Sequence, residues 1–380
     1  MRIALVTDSF YPTKDGVVVT VDTTRAELIA MGHDVVIFAP DPGKEYRQEG
    51  VVYFKAAKFK KYPGYFLPIF RSNKIELLKK FNPDVIHLYG AALMVLKGII
   101  AARALKVPTV ITYITSVSEV ISMYSPVKLP EDLLKKLVWI YVRNLLKRPS
   151  AVIVPTRPIG EELKENGVNC KRLEVIHIGI DIERFQRNAG AGLAVRKKYD
   201  LEGKKVVICA GRLSGEKNID MLIRSMKLLD DIVLMIVGKG PMNDSLRDLT
   251  DELELNERVI FTGFVSEDEL VAHYSAADVT ASASMFETQG LTTLEAMGCG
   301  LPAACVNMRA FSEVIKNGVN GYLFENSEEG CAEAIRKCFT DLPQIADGAR
   351  KTAEINSIHE TAVKLESLYY SVSLSKNGSD

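Results

Sequence analysis

The sequence predicts an α/β protein made of two tandem domains, each a doubly wound parallel sheet. Three observations support this prediction. Apolar, β-rich runs alternate with amphipathic helical runs along the chain, which is typical of parallel α/β sheets. Two series of such runs each open with an apolar strand, a polar glycine-containing loop and a helix. The chain also has 380 residues, more than one hydrophobic core usually serves.

The first series begins at the amino terminus, and its opening loop runs from Asp8 to Gly16. Apolar runs predict strands at 2–7, 35–38, 51–53, 85–88, 109–112, 151–155 and 174–178. Between the strands, apolar residues at helical spacing predict helices at 18–31, 73–80, 132–147 and 157–166.

The second series opens with the loop from Gly211 to Lys217. Strands are predicted at 205–210, 232–237, 259–262, 279–283 and 303–306. Helices are predicted at 216–228, 241–252, 267–276, 291–299, 310–316 and 328–339, and a last helical run covers about 358–370. The joint between the two series is expected near 179–192, because 188–192 reads Asn-Ala-Gly-Ala-Gly, a loop-like stretch. Strand ends of both sheets are expected to face a shared cleft.

The composition is that of an ordinary globular protein, with 47% hydrophobic and 25% charged residues. No run of 18 apolar residues occurs, so no membrane-spanning helix is expected. The amino terminus lacks the apolar core and cleavage site of a signal peptide, which predicts a cytoplasmic protein. The six cysteines form no Cys-x-x-Cys pair, and free buried thiols are expected instead of disulfides or zinc ligands.

The zero net charge conceals an asymmetry between the two halves. Residues 1–190 contain 28 Lys or Arg and 19 Asp or Glu, a balance of +9, and the remaining half has a balance of −9. Such asymmetry indicates a charged partner on one side. An anionic membrane surface and a nucleic acid are both compatible with the basic half.

The stretch from Met285 to Pro302 carries the most functional information. It places Glu287 before a predicted helix, Gly290 at the helix start and Glu295 eight residues after the first carboxylate. Unpaired N–H groups at a helix start form an anion site. If the whole segment were helical, the two carboxylates would lie roughly 12 Å apart. An acid/base pair on one glycosidic bond needs roughly 5–9.5 Å, so two anchors along an extended ligand are favoured over a catalytic pair.

This Glu-x7-Glu stretch resembles the signature of retaining nucleotide-sugar glycosyltransferases of family four, which have the GT-B fold of two Rossmann-like domains. Further motifs carry the resemblance along the carboxyl-terminal half: Gly211-Arg212-Leu213 with Glu216-Lys217, Val237-Gly238-Lys239-Gly240-Pro241, Phe261-Thr262-Gly263-Phe264-Val265 and Gly318-Val319-Asn320-Gly321-Tyr322-Leu323-Phe324. The resemblance implies an amino-terminal acceptor-side domain of residues 1–185, onto which a helix at about 357–380 packs back. It implies a nucleotide-sugar-binding domain of residues 186–356.

The resemblance also implies roles for individual residues. Arg212 and Lys217 grip the diphosphate, and Glu287 accepts hydrogen bonds from the hexose; these three are the expected catalytic residues. Glu295 binds the ribose, and residues 263–265, chiefly through backbone groups, line the base. The expected donor-binding residues are Gly16, Val17, Gly238, Val265, Gly290, Leu291, Thr292 and Glu295. The family implies a metal-independent transfer without a cofactor, with UDP-sugars favoured over GDP-sugars.

Three amino-terminal positions are candidates for the acceptor side. His87 ends a predicted strand where the family often has His-x-His, although a core histidine is equally compatible with the pattern. Tyr113-Ile114-Thr115 stands where family members commonly have Tyr-His-Thr. Because Ile114 cannot donate a hydrogen bond or carry a proton, this chain either works without that contact or is slow or inactive.

Basic and aromatic residues interleave over 54–74, and residues 130–148 form a basic amphipathic helix, both typical of a surface seated at a bilayer. The sequence from Glu287 to Thr292 is most similar to that of diacylglycerol and phosphoinositide glycosyltransferases. A lipid acceptor such as diacylglycerol is therefore expected, with the protein peripheral on the inner face of the cell membrane and no nucleic-acid partner. The alternatives are a soluble sugar or glycan acceptor and a catalytically weakened nucleotide-sugar binder.

Overall fold

The computed structural model describes residues 1–13, 15–58, 66–69, 75–114 and 130–377. The chain divides into two compact units, one of Met1–Gly179 with Ile358–Asp380 and one of Ile180–Ser357. Each unit is built on one parallel sheet, which confirms the predicted fold class.

The sheet of the first unit follows the predicted strands closely. Its seven strands are β1 (Arg2–Thr7), β2 (Asp34–Pro40), β3 (Val51–Phe54), β6 (Val85–Tyr89), β7 (Thr109–Thr112), β8 (Ala151–Val154) and β9 (Leu173–Val175). They pair in the order β3-β2-β1-β6-β7-β8-β9, all parallel. Ala4 and Val6 enter one apolar cluster and Ile3 and Leu5 the other, so the sheet is buried on both faces. A separate antiparallel pair, β4 (Ala56–Lys58) with β5 (Phe66–Pro68), was not predicted.

The helices of the first unit are α1 (Gly16–Ala30), α2 (Ile75–Phe81), α3 (Leu93–Leu105), α4 (Glu131–Leu146) and α5 (Arg157–Glu165). Helix α3 was not predicted from the sequence. This helix is apolar on most of its surface, so it lacks the polar face by which an amphipathic helix is recognised. A Cβ on Gly98 would lie 2.5 Å from Leu88 Cδ2, so this glycine lets α3 approach the sheet closely.

The second unit has a six-stranded parallel sheet. Its strands are β10 (Lys205–Ala210), β11 (Ile232–Val237), β12 (Val259–Gly263), β13 (Val279–Ser282), β14 (Ala303–Val306) and β15 (Gly321–Phe324), in the order β12-β11-β10-β13-β14-β15. Its helices are α6 (Ala189–Lys198), α7 (Ile219–Ser225), α8 (Asn243–Glu252), α9 (Glu267–Ala276), α10 (Leu291–Gly298), α11 (Ala310–Val314), α12 (Glu328–Thr340) and α13 (Leu342–Ile355). The order reverses at β10, which lies between β11 and β13.

The prediction of a loop at 188–192 was wrong, and β15 and α13 were not predicted. Asn188 caps α6 by accepting a hydrogen bond from the Ala191 N–H at 3.0 Å. A Cβ on Gly192 would lie 2.5 Å from the carbonyl oxygen of Ser275, so the glycine permits close contact between α6 and α9. Tertiary packing thus overrides the low helix propensity of glycine.

The last helix, α14 (Ile358–Asn377), belongs to the first unit and extends beyond the predicted run. Its Glu366 Oε1 lies 3.0 Å from the Nε2 atom of buried His33, and its His359 Nδ1 lies 2.7 Å from Glu27 Oε1 on α1. Leu365, Leu368 and Tyr369 join the apolar cluster on one face of the sheet. Within the described ranges, no helix is long and apolar enough to cross a membrane.

Candidate active site

Two neighbouring loops of the second unit pack backbone to backbone at the carboxyl end of the sheet. The loop after β10 bonds to the loop after β11 through Gly211 N–H to Val237 O, 2.9 Å, and Leu213 N–H to Lys239 O, 3.2 Å. A Cβ on Gly238 would lie 1.9 Å from the Gly211 oxygen, and one on Gly240 would lie 2.2 Å from the Leu213 oxygen. Glycine is therefore required at both positions of the second loop.

This contact positions the basic residues of the loop after β10. Lys217 ends a 3-10 turn, and its ammonium group forms an ion pair with the carboxylate of Glu287, which follows β13. The side chains are only 28% and 14% exposed, so solvent screens this pair less than a surface pair. Arg212 lies on the same loop, and its side chain is exposed.

The loops after β10 and β13 are also joined through their backbones. The carbonyl oxygen of Glu216 accepts hydrogen bonds from Met285 N–H at 3.2 Å and from Ser284 Oγ at 3.3 Å. The Glu216 side chain is held in turn by Ser214 Oγ at 2.5 Å. The order reversal at β10 brings these two loops together, and such a switch point is the usual ligand site of an open parallel sheet. Sequence reasoning singled out Lys217 and Glu287 but gave no structural role to Ser214 or Ser284.

In the chain, the amino terminus of α10 lies between Glu287 and Glu295. Gly290 caps the helix in the left-handed conformation, with φ +78°, and supplies no side-chain cap. A Cβ there would lie 2.6 Å from Phe311 Cε1, so glycine is required for space as well as conformation. The first N–H groups of a helix have no intrahelical acceptor. The N–H groups of Gly290, Leu291 and Thr292, at the start of α10, can therefore donate hydrogen bonds to an anion.

Glu295 lies one turn further along α10 and is half-buried. Burial raises its pKa to about 7, although the hydrogen bond from Tyr274 acts in the opposite direction. The Tyr274 hydroxyl lies 3.2 Å from Glu295 Oε2 and 3.1 Å from the carbonyl oxygen of Thr292. Tyr274, on α9, was missed by sequence reasoning, because nothing in the local pattern links it to a carboxylate 21 residues away.

The remaining donor-side candidates of the second unit lie beside these loops. Gly263 has φ +75°, and its carbonyl oxygen accepts a hydrogen bond from the Gly238 N–H at 2.9 Å. Val265 is half-buried and packs against an apolar cluster of this unit. No group of three or more His, Cys, Asp or Glu side chains suited to a metal ion occurs among the residues that the structure describes.

In the first unit, Gly16 and Val17 form the start of α1. Asp15 caps this helix by accepting a hydrogen bond from the Val18 N–H at 2.9 Å, and Gly16 is exposed. The preceding Lys14 lies outside the described residues.

Asp8, which follows β1, accepts hydrogen bonds from the N–H groups of Ala92 and Met94, both at 2.7 Å. Burial raises the pKa of Asp8 to about 6. Sequence reasoning did not predict this cap on α3.

His87 is fully buried in β6. Its Nδ1 atom lies 2.5 Å from the hydroxyl of Tyr369 on α14, and its Nε2 atom lies 2.6 Å from Thr112 Oγ1 on β7. Both ring nitrogens therefore have partners within the unit, which favours the core-histidine alternative. Tyr113 is buried after β7, and Ile114 is half-buried against an apolar cluster; Thr115 lies outside the described residues.

Comparison with known proteins identifies the family. The Glycosyltransferase Family 4 domain matches residues 14–184, and the Glycosyl transferases group 1 domain matches residues 194–353. An alpha-monoglucosyldiacylglycerol synthase from Streptococcus pneumoniae is 30% identical over an alignment of 363 residues, which covers 91% of this chain and 80% of the relative. The chain belongs to glycosyltransferase family four. This family-four glycosyltransferase is therefore an enzyme that uses a nucleotide sugar.

A second alpha-monoglucosyldiacylglycerol synthase, from Acholeplasma laidlawii, is 27% identical to this glycosyltransferase over 379 residues, covering 94% of this chain and 92% of the relative. Among solved structures, HepE from Anabaena in complex with UDP and glucose superposes with a TM-score of 0.77 at 20% identity, covering 97% of this chain and 99% of that chain. The structural likeness supports the GT-B fold, which agrees with the two parallel sheets described above.

The buried state of His87 predicts a pH dependence of stability. Burial lowers the pKa of His87 from 6.5 to about 3. Below pH 6.5 the unfolded chain therefore binds a proton that the folded chain does not, and the free energy of unfolding falls as the pH falls. Between pH 7.5 and pH 5, this one group should contribute a loss of about 2 kcal/mol. The variant His87→Gln should lack that contribution.

Urea unfolding followed by the fluorescence of Trp139, the single tryptophan of the chain and part of the first unit, measures this difference. The exposed His359→Gln variant is the matched control and should follow the wild type. An identical pH dependence in His87→Gln and wild type would contradict the buried, neutral state of His87.

Proposed function

We propose that this enzyme transfers a hexose from a UDP-sugar to a membrane lipid such as diacylglycerol at the cytoplasmic face of the membrane. The transfer retains the anomeric configuration and needs no metal ion. The main structural support for the proposed donor site is the Lys217–Glu287 ion pair beside the start of α10. Support for UDP comes from the similar structure of HepE, which was solved in complex with UDP and glucose. Support for the lipid acceptor comes from the two similar alpha-monoglucosyldiacylglycerol synthases.

The chemical demand of the reaction is to stabilise the leaving diphosphate. As the bond between the anomeric carbon and the phosphate oxygen breaks, the electron pair leaves with UDP. Arg212 offers a planar fork of donors, Lys217 a point charge, and the N–H groups of Gly290, Leu291 and Thr292 complete the cradle. Preorganised donors of this kind stabilise developing charge without reorganising. These groups supply the positive charge that a divalent cation supplies in other transferases.

The acceptor hydroxyl then bonds to the anomeric carbon on the face that UDP leaves, and its proton passes to the departing phosphate oxygen. No enzyme nucleophile is required in this front-side route. Glu287 accepts hydrogen bonds from the hexose hydroxyls and so places the anomeric carbon. Its ion pair with Lys217 holds both side chains in position before the donor binds. Glu295, oriented by Tyr274, accepts from the ribose, and the backbone near Val265 meets the base.

The first test of this site is the loss of either member of the ion pair. Glu287→Ala and Lys217→Ala should each reduce turnover of UDP-hexose at least about a hundredfold, the scale for losing one preorganised transition-state contact. UDP release measured with product mass reports the effect. The pair Glu333 and Lys337, on the exposed face of α12, provides matched controls, whose alanine variants should retain activity. Near-wild-type turnover in Glu287→Ala would remove the site assignment.

Support for a lipid acceptor comes from α4. Its Val142, Leu145 and Leu146 are buried in the core, yet Leu133, Leu137 and Ile140 are 45%, 47% and 48% exposed. These three recur at helical spacing and form one apolar stripe on the outer face. By the same spacing, exposed Lys136, Arg143 and Lys147 lie along one edge of that stripe. An apolar stripe with a basic margin suits the interface of an anionic membrane.

A charge in this stripe should uncouple lipid glycosylation from donor chemistry. Leu137→Glu with Ile140→Glu should reduce glycosylation of diacylglycerol in anionic vesicles at least about tenfold, since each change removes an apolar side chain from the interface. Hydrolysis of the UDP-sugar in solution should be unchanged. Ile100→Glu on α3, where the isoleucine is 53% exposed, is the control. Wild-type vesicle sedimentation and lipid turnover in the double variant would contradict membrane docking through α4. Full activity on a water-soluble sugar without vesicles would favour the soluble-acceptor alternative.

Ile114 favours a second candidate function, that of a nucleotide-sugar binder with weak turnover. It stands where the family pattern has histidine and packs half-buried against the apolar cluster of the first unit. An apolar side chain there offers no hydrogen bond to the donor or the acceptor.

Restoring the histidine separates these possibilities. Ile114→His should raise turnover about tenfold or more if the family contact is merely missing, because a charge-assisted hydrogen bond would be added. Ile114→Phe, which supplies a ring without a donor, is the steric control. A lower rate in Ile114→His with native-like stability would mean that this enzyme has reorganised its acceptor side. An unchanged rate would place residue 114 away from the reacting bond.

A further inference from the structure

Arg309, at the turn between β14 and α11, has a backbone conformation that residues other than glycine rarely adopt. Its φ is 44° and its ψ is −121°, outside the left-handed helical region. Its carbonyl oxygen accepts hydrogen bonds from Ser312 N–H at 3.2 Å and Ser312 Oγ at 2.7 Å, which hold the turn. Such conformations persist where the surrounding structure imposes them, and they cluster at functional sites.

The guanidinium of Arg309 lies over the ring of Phe286, with its central carbon 5.5 Å from the ring centroid. Phe286 is 38% exposed and directly precedes Glu287. A cation over an aromatic face is attracted by the ring quadrupole, so each side chain restrains the other. The contact therefore acts on the chain segment that carries the Glu287 carboxylate.

The same turn of α11 also supports the other end of this segment. Phe311 is buried and packs against Gly290, where a Cβ would lie 2.6 Å from Phe311 Cε1. On the opposite side, the Glu216 carbonyl holds Ser284 and Met285. The loop from Ser284 to Gly290 is thus fixed from one side by the loop after β10 and from the other by the start of α11.

We propose that Arg309 is a positioning residue for the transfer, which it serves by holding Phe286 and, through it, the Glu287 carboxylate against the donor hexose. The inference rests on the proposed contact between Glu287 and the hexose. Glycine would adopt the backbone conformation of residue 309 without strain. Arginine at this position strains the backbone, but it places a guanidinium over the Phe286 ring, which glycine could not do.

The variant Arg309→Gly separates positioning from stability. It relieves the backbone and removes the guanidinium, so the thermal midpoint should be unchanged or higher. In contrast, kcat should fall about tenfold to a hundredfold, the effect of a small misplacement at a reacting centre. The dissociation constant for UDP, measured by titration calorimetry, should stay within about twofold, because the diphosphate contacts are unaltered. A purely structural arginine would instead lower the thermal midpoint together with kcat.

Two further variants keep the inference falsifiable if Arg309→Gly does not fold. Arg309→Met keeps the backbone and length but removes the charge, and it should show the same loss of kcat. In a double-mutant cycle, Phe286→Leu with Arg309→Met should be no slower than Phe286→Leu alone, since Arg309 acts through the ring. Arg247→Met, which removes a guanidinium 4.5 Å from the ring of Phe261, is the matched control and should keep wild-type kcat. Additive losses, or an unchanged kcat in Arg309→Met, would overturn the inference.

The parallel Glu287→Ala assay distinguishes a failure of the Arg309 proposal from a failure of the proposed donor site. If Glu287→Ala is inactive and Arg309→Met is normal, the positioning by Arg309 is wrong and the proposed site stands. If Glu287→Ala has normal turnover, the site assignment itself fails, and an effect of Arg309 would have to arise elsewhere.

Discussion

The second unit depends on the close contact between the loops that follow β10 and β11. Gly238 and Gly240 bring two backbones to a distance that no side chain would allow. The contact fixes the path of the chain from Gly211 to Lys217 and so the place of the cations. Because β13 is the other neighbour of β10, its following loop meets the same chain segment. The Lys217–Glu287 pair is the electrostatic consequence of this arrangement.

Burial then sets the protonation states of the groups around the two sheets. The carboxyl group of Glu295 has a pKa raised to about 7, since half-burial in α10 opposes its charge. Desolvation keeps His87 neutral, and the hydrogen bonds of its imidazole ring join β6 to β7 and to the last helix. In both groups burial disfavours the charged form, but the two side chains have different roles. Glu295 is part of the proposed donor site, whereas His87 stabilises the packing of α14 on the first unit.

The predictability of individual elements followed from how local their determinants are. Strands such as β7, β10, β11 and β14 were predicted with the bounds that the structure has, because a buried parallel strand is a short run of apolar residues. The helices α3 and α6 were missed for opposite reasons. α3 is too uniformly apolar to show a polar face, and α6 begins with Ala-Gly-Ala-Gly, which has poor helix propensity. Both depend on contacts with distant residues, which are Asp8 for α3 and Ser275 for α6.

The sequence by itself determined the class of fold and the family, and it singled out the acidic and basic residues of the proposed donor site. These follow from periodicity and from motifs whose spacing is local. Only the tertiary structure decided which of them meet. It paired Lys217 with Glu287 across 70 residues and placed Tyr274 against Glu295. It also buried His87 between Tyr369 and Thr112, and it set Arg309 over Phe286. The physical reason is that strand order, which brings distant loops to one edge of a sheet, is set by packing of the whole unit and not by any local stretch of residues.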